Sequence, residues 1–238
     1  MSTALRAAVL LLLPLALLLS PIEAPGAQAQ RIQKKSKQLK WHRVTSSDGI
    51  AVHQKDHPDR DLPSFRGVGM VNASIYRVLA VLEDTTRHTE WMERCVESRL
   101  VKQVEENERI VYNRTAAMWP VADRDVVVQG RMDFDPNTKV VMLHFKSLRR
   151  SSVPEVDGVV RMTNLSGHYR LVRKGPDKTH VTFEVDADPG GALPAFLVKW
   201  ASRDIPIKTI KALRTQSKDM GGRRGKLVED WKKRHPMG

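Results

Sequence analysis

Trp119-Pro120-Val121-Ala122-Asp123-Arg124-Asp125-Val126-Val127-Val128 is the stretch whose reading decides the fold. It follows the run Arg109-Ile110-Val111-Tyr112, so it reads as a charged corner between two strands. The second landmark is Asp188-Pro189-Gly190-Gly191-Ala192-Leu193-Pro194-Ala195-Phe196-Leu197-Val198. There Pro194 falls in the first turn of a long helix, where a missing N–H costs little. Phe196, Leu197, Trp200 and Ala201 form the apolar stripe of that helix. Ile207, Ile210 and Leu213 continue it beyond Pro206, which predicts a kink or a split. Gly221-Gly222 ends it.

Outward from these landmarks the chain is mostly alternating strand. Cys95 to Val104 and Arg109 to Met118 flank a polar turn, Val126 to Phe134 and Lys139 to Ser147 flank another, and Val160 to Val172 and Thr179 to Ala187 flank a third. Arg149 to Gly158 lacks periodicity and reads as a loop. Nearer the start, Asp48-Gly49 between Trp41 to Val44 and Ile50 to Gln54 predicts a hairpin. His53 to Asp59 reads as a polar loop and Phe65 to Val71 as a strand loosened by Gly67 and Gly69. Ile75, Val78, Leu79 and Leu82 give one apolar helix face, capped by Asn72 or Ser74. Successive hairpins of this kind make an antiparallel meander that needs cover on one face, and the last helix supplies it.

The strand, the Trp-Pro-Val-x-Asp-Arg-Asp corner, the following strand and the late Asp-Pro-Gly-Gly-x-Leu-Pro helix start together resemble the START domain. This is the lipid-transfer module related to steroidogenic acute regulatory protein. The resemblance covers Leu39 to Met220. It implies an α+β helix-grip fold, in which a curved antiparallel β-sheet wraps a long C-terminal helix around an internal apolar cavity. It also implies a binder of one lipid, with no catalytic residue, cofactor or metal. Lipid-wall candidates are Met118, Trp119, Val127, Met142, Met162, Leu193, Phe196, Leu197 and Trp200. Methionine suits a wall that accepts flexible chains. Sterol-binding relatives carry an acid on the strand before the corner and a base on the strand after it. Here those positions hold Arg114 and Gly130, the latter beside Arg131, with no acid beside Arg114. The ligand class therefore stays open among phospholipid, fatty acid and isoprenoid or sterol-like lipid. Arg114, Arg124 and Arg131 are candidates for a headgroup, since a guanidinium meets phosphate with a planar fork. Asp123-Arg124-Asp125 reads first as a salt-bridged corner.

The ends differ from the body. Arg6, the apolar run Ala7 to Leu19 and Ala27-Gln28-Ala29 have the pattern of a cleaved signal peptide over residues 1–29. This places the protein in the periplasm or outside the cell. Residues 30–38 form a basic segment, residues 39–220 the domain, and residues 221–238 a basic tail. The net charge of +13 is concentrated at these two ends, which suits an anionic membrane surface or simple solvation. No zinc-finger, RNA-binding or helix-turn-helix pattern supports a nucleic-acid partner. The single Cys95 excludes an intramolecular disulfide. The eight histidines form no metal-ligand spacing, and no nucleophile elbow occurs. Two rival readings stay open: a polyketide cyclase or aromatase on the same scaffold, and an interaction module with a vestigial cavity.

Overall fold

The computed structural model describes residues 40–191 and 195–237; for residue 61 and residues 195–202 only the backbone is described. Ten strands form one antiparallel sheet in the order β1-β2-β3-β10-β9-β7-β6-β5-β4. They are β1 His42–Ser47, β2 Ile50–His57, β3 Arg60–Val71, β4 Cys95–Glu105, β5 Glu108–Thr115, β6 Asp123–Asp135, β7 Val140–Ser147, β8 Val159–Arg161, β9 Asn164–Gly175 and β10 Lys178–Asp188. β8 lies off this path and pairs in parallel with β6. Helix α1 (Ile75–Glu83) and a 3-10 turn (Thr85–Glu90) link β3 to β4. Helices α2 (Ala195–Gln216) and α3 (Arg223–Arg234) close the chain.

Local chemistry explains these boundaries. Asp48 and Gly49 adopt positive φ in the β1–β2 turn, which matches the twist of the flanking strands. Ser74 caps α1 by accepting from the Arg77 N–H. Of the polar stretch His53 to Asp59, His53 to His57 extends β2, its backbone paired with β3 as far as His57 and Arg60, and only Pro58 and Asp59 form the turn. Val160 to Val172 is divided between β8 and β9. Pro206 neither splits nor ends α2, which stays one helix.

Pairing fixes which residues share a face. Gly67 and Gly69 of β3 back onto α2: a Cβ on Gly67 would sit 2.6 Å from Pro206 Cβ, and one on Gly69 3.3 Å from Ile210. The inner face follows by register through Val181 and Phe183, Tyr169 and Leu171, Val141 and Leu143, then Met132 and Gly130. It ends on Arg109, Val111 and Asn113 of β5 and Ser98 of β4. The main core lies on this face, with α1, α2 and α3 over it. A second small core of Tyr112, Val127 and Val153 lies on the outer face, under residues 148–158.

Residues 221–238 are not a free tail. α3 packs on α1 and buries Arg224, Val228 and Trp231, and Met237 is buried beyond it. The Trp231 indole donates to Glu83, which also receives Arg109 from β5. Arg224 is fully buried 3.3 Å from the equally buried Asp84. The basic residues between them face outward, and Lys226, Lys232 and Arg234 pair with Asp230, Glu229 and Glu106. The hidden period-3.6 stripe of one arginine, one valine and one tryptophan is too polar to read as a core face. The folded unit therefore runs past Met220 to Met237.

Candidate functional site: the inner wall at the start of helix α2

One end of the sheet gathers the ends of β5, β7 and β10 with the starts of β4, β6 and β9. Residues 116–122 and the Asp188–Gly191 turn leave from this end, and α2 begins there. The inner face is filled differently along its length. Toward the far end Val52, Val71, Val141, Leu171 and Val181 are fully buried. Near the α2 start Phe65 and Val126 are buried too, but Val128, Phe145, Leu165, Val185 and Ala187 face the same way and remain half-buried. Apolar side chains left half-exposed on the concave side of a sheet are the kind that line binding pockets. Among the described residues, the helix-to-strand contacts of α2 concentrate on β2, β3 and β10.

The two sequence landmarks meet here. Arg124 is buried on the inner face and donates to the Ala122, Pro189 and Gly190 carbonyls, the latter two at 3.4 and 3.2 Å. Gly190 and Gly191 turn the chain with positive φ, and Asp188 accepts from the Gly190 N–H at 2.9 Å. The corner thus holds the turn from which α2 leaves. Its two acids point to the outer face. Asp123 takes Arg114 at 2.8 Å and the Ala117 N–H at 3.1 Å. The Ala117 bond first, then Arg114, keep its carboxyl below the usual range. Asp125, buried, takes Arg161 at 2.6 Å. The corner is salt-bridged as the sequence suggests, though each member reaches a different element.

The other candidates separate into groups. Arg114 lies on the outer face and has an acid after all, Asp123, so it is not a buried unpaired cation. Arg131 is exposed on the outer face beside Asp133. Met142 also faces outward, opposite Asp133 and Arg170 in register, and Val127 belongs to the outer small core. Alternation was read correctly in these strands, but nothing in it says which parity faces the helix. Met118 and Trp119 are 68% and 93% exposed in the corner loop, not in a wall. Met162 sits half-buried between β8 and β9, its N–H bonded to the Asp125 carbonyl. Leu193 and the side chains of Phe196, Leu197 and Trp200 lie outside the described residues.

Asn113, Ser98 and His88, to which the sequence assigned no site role, complete the wall with Trp91, which it read as a large core residue. Asn113 on β5 pairs directly with Ser98 on β4. Ser98 reaches His88 of the 3-10 turn, and Trp91 follows it. Burial pushes His88 down to about 4, so the ring is neutral near pH 7. A groove of about 620 Å³ on the opposite, outer face is lined mostly by polar residues, among them His144, His168 and Glu184.

The START domain model matches residues 27–220. The chain belongs to the START family. It is 30% identical over 175 residues to an uncharacterized protein of Pseudomonas aeruginosa, covering 74% of this chain and 85% of that one. The bovine phosphatidylcholine transfer protein is 23% identical over 171 residues, 69% of this chain and 78% of its own. A crystal structure of a STAR-related lipid transfer protein fragment from Xanthomonas axonopodis superposes with a TM-score of 0.69 at 27% identity, covering 75% of this chain and 99% of that one. Human STARD10 also gives 0.69, at 19% identity and 90% and 84% coverage, a likeness of fold. The curved ten-stranded sheet with its closing helix is the helix-grip fold of this family. Two of these relatives are, by name, a phosphatidylcholine transfer protein and a STAR-related lipid transfer protein.

Proposed function

We propose that the protein holds one lipid between the half-buried inner wall and the first turns of α2, and carries it between membranes without changing it chemically. The observation that carries this reading is the change along one sheet face from closed packing to half-exposed apolar side chains where α2 begins. The likeness to transfer proteins supports it. Opening proceeds at the Asp188–Gly191 turn, which Arg124 ties to the corner, so that corner and helix start move together.

Membrane contact is made at the same place. Trp119 and Met118 project into solvent from the corner loop, and an indole is suited to the interface between headgroups and acyl chains. The docked α3, with three of its cations paired, is a poor electrostatic anchor, so of the two basic ends that suit an anionic surface the C-terminal one gives way to the corner. Export completes the proposal: the leader-like run Ala7 to Leu19 lies ahead of the family match. Transfer of a fluorescent lipid between two vesicle populations is the test. Trp119→Ala is expected to slow transfer about tenfold, the loss of one buried aromatic anchor, while thermal stability stays at the parent value. Transfer unchanged by Trp119→Ala would remove the corner from the mechanism, and no transfer by the parent protein would remove the function.

A further inference from the structure

Four polar side chains run in sequence along the inner wall. Asn113 and Ser98 are cross-strand partners. Ser98 Oγ lies 3.4 Å from His88 Nδ1. His88 Nε2 lies 3.1 Å from the Leu82 carbonyl, which can only accept, so Nε2 carries the proton and Nδ1 accepts from Ser98. The His88 ring stands edge-on to Trp91, with centroids 5.4 Å apart. The two ends of this track are open: Asn113 Oδ1 and Trp91 Nε1 are buried and have no hydrogen-bond partner among the described residues. Folded proteins leave few buried polar atoms unpaired, and each calls for a partner such as water or a ligand, or for strain; of those among the described residues, only these two flank the track on the inner wall. The track offers an indole donor at one end and acceptors at the other, on Asn113 and on the lone pairs left to Ser98.

The track also carries no charge. His88 is held neutral by burial. Of the inward arginines, Arg109 is engaged by Glu83 and Arg124 by three carbonyls. An ionised phosphate placed against this wall would shed its water and meet no cation among these groups, at large cost. A hydroxyl or an amide has both a donor and an acceptor, and a hydroxyl satisfies Asn113 in either orientation of its amide.

We propose that Asn113, Ser98 and Trp91 read an uncharged hydroxyl or amide of the bound lipid, so that the cargo is a neutral, hydroxyl-bearing lipid and not a phospholipid with its phosphate inside. This rests on the lipid-binding reading above and narrows it. Diacylglycerol, ceramide and sterol share the chemistry. The experiment incubates the full chain with phosphatidylcholine vesicles that contain all three, then re-isolates the protein and quantifies its lipid by mass spectrometry. The parent is expected to enrich one of the three over phosphatidylcholine, and which one names the source of the hydroxyl. Asn113→Leu, which keeps the branching of the side chain, and Trp91→Phe are each expected to lower that enrichment about tenfold, the size of one lost hydrogen bond, while total lipid per chain stays near the parent value. Retained total lipid separates a lost contact from a misfolded variant, and Ser98→Ala supplies a milder third variant. Phosphatidylcholine as the retained lipid, or an enrichment that none of the variants changes, overturns the proposal while leaving lipid binding intact. A parent protein that takes up no lipid overturns both.

Discussion

The two ends of the inner sheet face use the same kinds of side chain to different effect. At the closed end Ile50, Val52, Leu171 and Ile210 are fully buried, and Gly67 and Gly69 let α2 approach the backbone. At the open end Phe145, Leu165 and Val185 are half-buried, and Asn113 and Trp91 keep buried polar atoms without partners among the described residues. The closed end holds the fold together; the open end leaves apolar surface half-exposed, and there the proposed lipid sits. What separates them is the reach of α2 and the bracing behind α1, not residue type.

Removing the brace has the largest expected effect. Arg224→Ala leaves Asp84 buried without its cation, and loss of one partner of a buried pair costs about 3–5 kcal/mol. Urea denaturation measures this; a loss under about 1 kcal/mol would mean α3 is not the brace described here. The next effect is a pH dependence at the junction between the ends. Native His88 stays neutral down to about 4, whereas an unfolded histidine takes its proton near 6.5. Between those values the unfolded state binds more protons, so stability falls as pH falls, by up to about 3 kcal/mol across the window. His88→Asn is expected to flatten that part of the profile relative to the parent. Parallel profiles would show that folding leaves the His88 pKa unshifted.

A matched pair of glycines sharpens the comparison further. Gly67→Ala puts a Cβ 2.6 Å from Pro206 Cβ, backed by rigid helix, and overpacking of this kind costs about 1–3 kcal/mol. Gly130→Ala, on the same face toward the open end, meets nothing nearer than a carbonyl oxygen at 3.9 Å. It is expected to be neutral or to gain about 0.4–1 kcal/mol from a stiffer unfolded chain. Thermal unfolding of both variants checks this, and equal losses would erase the distinction between the ends. The smallest effect on stability, near zero, belongs to Trp119→Ala, whose consequence is confined to transfer rate.

Much of this fold could be read from alternation and turns. The strands from Cys95 onward, apart from the division of Val160 to Val172 into β8 and β9, the Ser74 cap and the Asp48-Gly49 hairpin follow from local rules that tertiary contacts did not override. The corner and the Asp-Pro-Gly-Gly turn were legible as landmarks, but their contact through Arg124 joins positions far apart in sequence and had no local signal. The wall was legible least. β5 carries Ile110, Tyr112 and Arg114 on one face and Val111, Asn113 and Thr115 on the other, so both parities mix apolar with polar residues. Only the placement of α2 against Gly67 decides between them. For the same reason Met142 and Arg131 were assigned to the wrong face, and α3, whose inward side carries Arg224, was taken for a tail.

Native mass spectrometry of the protein, before and after incubation with lipid vesicles and followed by solvent extraction, tests the central claim most directly. The account predicts one lipid per chain, released only on denaturation. A chain that keeps its bare mass under both conditions would contradict it.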